Sequence, residues 1–110
     1  MAKHNVVKHK LNAQRMEALS LAYLSVMNHV PEDGHELLLH EHARELLCRI
    51  STMLLSDQQK YTLKMSGTEA MAFMQLWYTI PVAAGSLEQV VIGEMIKTID
   101  KASKQPKLLR

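Results

Sequence analysis

Four histidines, His29, His35, His40 and His42, fall within a 14-residue run of this chain, and imidazole is the side chain most often used to hold a metal. The spacing works against a shared ion. His35-Glu-Leu-Leu-Leu-His40 resembles the HExxH zinc pattern with one residue too many, which turns the two rings about 140° apart on a helix. His40 and His42 are about 200° apart, and only His35 and His42, seven residues apart, share a face. Two such distant ligands do not make a site. The histidines are therefore read as residues at the core boundary, facing Glu45 or solvent, and no metal or other cofactor is assigned.

Nucleophilic chemistry fares no better. The single cysteine, Cys48, lies one helical turn from Arg44, whose charge favours a thiolate, but no oriented base accompanies it. Glu41 and Glu45 read as a solvated face beside Arg44 and Arg49. The four glycines, Gly34, Gly67, Gly85 and Gly93, are isolated and form no phosphate-binding loop. No catalytic residue is assigned, and an enzyme is not expected.

The elements that would position these residues read as helices. Leu, Met, Ala and Val dominate the apolar set, with five aromatics, four Gly and three Pro in 110 residues, a balance that favours helix over strand. One domain covering 1–110 is expected from the length and the absence of a linker. Ala13, Met16, Leu19, Tyr23, Val26 and Met27 recur at helical steps over 11–29, and Pro31 stops the pattern. Asp33 caps a second helix over 34–55, with Leu39, Ala43, Leu46, Leu47, Ile50, Met53 and Leu54 as its core stripe. Capping boxes at Ser66/Glu69 and Ser86/Gln89 open helices over 67–80 and 87–102. The expected fold is all-α, a compact bundle of these four helices joined by short loops.

Two segments resist this reading. Residues 1–10 show no periodicity and, with 103–110, are taken as flexible basic tails. Between 56 and 66, a capping box at Ser56/Gln59 competes with the strand-like alternation of Tyr61, Leu63 and Met65 against Thr62, Lys64 and Ser66. No second strand-like run offers a partner, so a short extra helix near 57–65, or an irregular connection, is favoured. No internal repeat is visible.

The largest apolar concentration is Ser66 to Gly85, which holds the only Phe and the only Trp. Phe73, Leu76, Trp77, Tyr78 and Ile80, together with Met71 and Met74, surround the third helix on all sides, which marks a buried helix or an interface. Its uncharged run, Ala70 to Leu87, is near membrane-span length, but Pro81 and Gly85 interrupt it. A second apolar stripe, Leu37, Cys48 and Leu55, lies among the polar residues of the second helix. These two surfaces point to a small, self-associating helical interaction or scaffold domain, a homo-oligomer away from the membrane. A lone thiol points to a reducing compartment, the cytoplasm.

Charge supplies the alternative. Residues 1–15 carry four bases and no acid, 97–110 carry five bases and one acid, and the segment between has four bases and ten acids. Basic ends on an acidic body suit an accessory nucleic-acid-binding protein, whose candidate contacts are Lys3, Lys8, Lys10, Arg15, Lys101, Lys104, Lys107 and Arg110.

Overall fold

A computed structural model describes residues 6–103. Two seven-residue segments alternate strictly between exposed and buried side chains, Val6–Asn12 (β1) and Lys60–Ser66 (β2). A period of two puts one set of side chains on each face of a pleated strand. Val7, His9 and Leu11 of β1 face inward, as do Tyr61, Leu63 and Met65 of β2. The strands pair antiparallel, His9 opposite Leu63, with Val6 and Asn12 meeting Ser66 and Lys60 at the two ends. The Ala13 amide donates to the Gln59 carbonyl at 3.1 Å and extends the ladder past Asn12.

Four helices complete the described residues: Ala13–Met27 (α1), Gly34–Leu54 (α2), Gly67–Thr79 (α3) and Leu87–Ser103 (α4). The fold is therefore α+β, and the expectations of an all-α bundle, of a short helix near 57–65 and of a frayed segment reaching Lys10 are corrected. The missing partner for β2 was β1. Its alternation is masked because an inward position holds a polar residue, His9, and an outward one holds an apolar residue, Val6. Ser56 also does not open a helix. Its hydroxyl donates to the Met53 carbonyl at 2.7 Å, and Asp57, at φ 51°, turns the chain into β2; aspartate is among the few residues that tolerate this left-handed region.

The other expected caps form. Asp33 Oδ1 accepts the Glu36 amide at 2.9 Å, and Ser66 and Glu69 close a complete capping box. Ser86 Oγ accepts the Gln89 amide, while the Gln89 side chain reaches back one residue further, accepting the Gly85 amide at 2.8 Å.

The element order is strand, helix, helix, repeated once. Adding 54 to any β1 residue number gives its counterpart in β2, and because His9 pairs with Leu63, that shift coincides with the pairing at the ribbon's centre. The two halves are thus related by a quasi-two-fold axis through the middle of the ribbon. The same shift matches the N-caps Asn12 and Ser66. It also matches buried core residues, Met16 with Ala70, Leu19 with Phe73, Ala22 with Leu76 and Tyr23 with Trp77. Tyr23 and Trp77 meet edge-to-face, ring centres 5.3 Å apart, with Phe73 close to both. Residue types differ at most matched positions, which hides the duplication from direct reading.

The halves interlock. α1 lies against α4 as well as α2, and α3 lies against α2. The third residue of each ribbon-following helix reaches the other half: Arg15 of α1 pairs with Glu94 of α4 at 3.1 Å, and Glu69 of α3 pairs with Arg49 of α2 at 2.5 Å. The charges are exchanged between the two positions.

Candidate nucleic-acid interface

The outward face of the ribbon is its exposed set: Val6, Lys8, Lys10 and Asn12 from β1, and Lys60, Thr62, Lys64 and Ser66 from β2. Four of these eight residues are lysines and none is acidic. Lys8 stands directly opposite Lys64, and Lys10 opposite Thr62. Like charges directly opposite on an antiparallel pair destabilise it. Successive outward residues on a strand are about 6.8 Å apart, so the four cations, which lie between the Lys60 and Lys64 rungs, extend along roughly 14 Å of the ribbon.

Acids near the ribbon are already engaged. Glu69 is held well below the usual carboxylate range, chiefly by its hydrogen bond from Arg49, and Glu94 likewise by Arg15. Arg49 also donates to the Lys64 carbonyl at 3.0 Å, tying α2 to β2. Asn12 and Ser66, at opposite ends, use their side-chain oxygens to accept the Arg15 and Glu69 amides. The mobile cations of the face are therefore left to the lysines.

Behind the ribbon the inward face is rigidly packed. His9 stacks over Phe73 with ring centres 6.4 Å apart. Burial lowers its pKa to about 4, and its Nε2 has no hydrogen-bond partner. Burial also drives the Tyr23 phenol far above its ordinary range, and neither its hydroxyl nor the Trp77 indole Nε1 has a hydrogen-bond partner.

Of the nucleic-acid contacts expected from the sequence, the fold brings only Lys8 and Lys10 onto the ribbon. Arg15 is committed to Glu94. Lys101 is exposed near the end of α4, and Lys3, Lys104, Lys107 and Arg110 lie outside the described residues. Lys60, Thr62 and Lys64 escaped the sequence reading. The signal that could have found them is the alternation across 60–66, which places the two lysines and the threonine together on the face opposite Tyr61, Leu63 and Met65.

The remaining expected residues distribute as follows. Phe73, Leu76 and Trp77 are buried within the chain, Ile80 is half-buried, and Tyr78 and Met71 are exposed. Leu37, Cys48 and Leu55 are all exposed on α2 and its end. The histidines separate: His29 Nε2 meets Glu36 Oε1 at 3.2 Å, His40 Nε2 contacts the His29 carbonyl at 2.9 Å, His35 is exposed, and His42 is buried edge-on to Tyr23. Among the described residues no three His, Cys, Asp or Glu side chains converge on a common point, and no helix is long and apolar enough to cross a membrane.

No family model, curated protein or solved structure matches this chain.

Proposed function

We propose that this protein binds duplex DNA by laying its two-stranded ribbon in the major groove. The observation that carries this reading is the composition of the outward face, four lysines on eight positions with no acid, backed by a helical frame that holds them in fixed register. The B-form major groove, about 12 Å wide, admits either a helix or a two-stranded ribbon, and its edges carry acceptors that lysine can meet. Phosphates on either side supply the sequence-independent attraction. The Lys8–Lys64 repulsion is relieved when anionic DNA approaches. Lysine also serves to protect exposed sheet edges, but here it sits on the flat face, and the β1 strand already lies beside α4. Double-stranded RNA is a poorer fit, because its deep, narrow major groove does not admit such an element.

Fluorescence anisotropy on a labelled duplex tests the reading. Wild-type protein is expected to bind with affinity that falls as salt rises. The variant Lys8→Ala/Lys10→Ala/Lys60→Ala/Lys64→Ala, with unchanged circular dichroism, should lose most of that affinity and flatten the salt slope by up to about one per lysine. Equal binding by the two proteins refutes it.

Self-association is a second, separate reading. Its specific support is a shallow apolar groove between α3 and α4, lined by Tyr78, Val82, Ile92 and Ile96, beside a Tyr78 that is 67% exposed in the single chain.

A further inference from the structure

Resting on the ribbon as the DNA-binding face, we infer that a single copy of the chain reads one duplex site, and that the preferred site is not palindromic. A ribbon built by two identical strands would present the same side chains to both halves of a site and would match a two-fold symmetric sequence. Here both strands come from one chain, and the quasi-two-fold axis relates positions that are mostly unlike. Lys8 corresponds to Thr62, Val6 to Lys60 and Asn12 to Ser66, while Lys10 and Lys64 alone are identical.

The difference falls on the central rungs. On one side of the axis the rung is Lys8–Lys64; on the other it is Lys10–Thr62. An ammonium is a donor only and selects acceptors, of which guanine O6 and N7 are the densest cluster in the major groove. A threonine hydroxyl serves as donor or acceptor, and its methyl group packs against the thymine methyl. The two rungs lie about 6.8 Å apart, roughly two base-pair steps at about 3.4 Å each. The site is therefore guanine-rich beneath Lys8 and Lys64, and carries a thymine–adenine pair beneath Thr62. The outer positions reinforce the asymmetry, with a cation at Lys60 and an uncharged methyl-bearing Val6 at its counterpart.

The test is selection from a randomised duplex library with the full chain, followed by native mass spectrometry of the selected complex. The expected result is a non-palindromic site bound by one chain, with roughly fivefold or greater preference for guanine over other bases at the Lys8 position. Thr62→Lys makes both central rungs Lys–Lys, and the base pairs selected beneath those two rungs should become alike, while the outer positions stay unlike. The companion Lys8→Thr makes both rungs Lys–Thr and should make those central base pairs alike in the opposite sense, toward thymine–adenine. A palindromic wild-type site, or two chains sharing one ribbon site, overturns this inference and leaves DNA binding standing. If no sequence is enriched although the anisotropy assay shows salt-dependent binding, this inference fails and DNA binding stands; if neither assay shows binding, both fail.

Discussion

Replacing His9 by Leu tests which face of the ribbon looks inward, on which the placement of every lysine depends. His9 is 3% exposed, and its quasi-equivalent, Leu63, is 0% exposed, so the fold already accommodates a leucine at the matching site. His9 titrates near 4 in the folded chain, against 6.5 when unfolded. With the folded value depressed, both states are neutral above pH 6.5 and the residue costs nothing there through protonation. As pH falls through the window from 6.5 to 4, the unfolded chain takes up a proton that the folded chain refuses, and stability drops. At pH 5 the loss is about 2 kcal/mol, approaching roughly 3 kcal/mol below pH 4. Leucine removes this liability and also the unpartnered Nε2, so His9→Leu should match or exceed wild type at pH 7, by up to about 1–3 kcal/mol. Urea titrations of both proteins at pH 7 and pH 5, followed by circular dichroism, give the double difference directly. Titrations common to both proteins, including those of His42 and the carboxylates, cancel. The stability gap should widen by about 2 kcal/mol on going to pH 5. A gap that stays constant means His9 is solvated and the ribbon faces the other way, with its lysines turned from solvent.

The other expectations are simpler to state. Trp77→Ala removes a ring packed on Tyr23 and Phe73 and should destabilise the chain by about 3–5 kcal/mol in the same titration; a near-neutral effect refutes the placement of the Tyr23–Trp77 contact on the axis. Light scattering at micromolar concentration should report a mass above 12.5 kDa if the α3–α4 groove joins copies, and Tyr78→Glu should return the protein to that mass. A wild-type protein already at one chain's mass removes the self-association reading.

The helices were legible because each pairs a run of apolar residues with a boundary signal, a cap or a proline. Asp33, Ser66 and Ser86 each stand one residue before an observed helix, Pro81 stands two residues after α3, and Pro31 four after α1. The ribbon was not. A strand of seven residues offers only three inward positions, and in β1 one of these is His9, whose burial depends on Phe73 more than 60 residues away. Tyr61, Leu63 and Met65 showed the period of two, but a lone strand is meaningless until its partner is identified, and local sequence does not record pairing. The duplication was hidden for a related reason: the axis keeps matched positions buried, as where Tyr23 answers Trp77, while residue types and sizes diverge, as where Met16 answers Ala70. Of the candidate interface, Lys8 and Lys10 were legible as charge, but their alignment with Lys60 and Lys64 is a product of register alone.

The exchange of partners between halves has a consequence for biosynthesis. β1 emerges first and has no strand to pair with until β2, some 54 residues later, has left the ribosome. α1 cannot complete its packing until α4, which ends the described chain, is made. At about 5–20 residues per second, the first half spends several seconds with Val7, Leu11, Leu19 and Tyr23 lacking their final neighbours. Within that interval the nascent strand is an open edge, and the lysines that flank its apolar positions keep it from pairing with the wrong chain. The cations of the proposed DNA-binding face thus also guard the open edge of an unfinished protein.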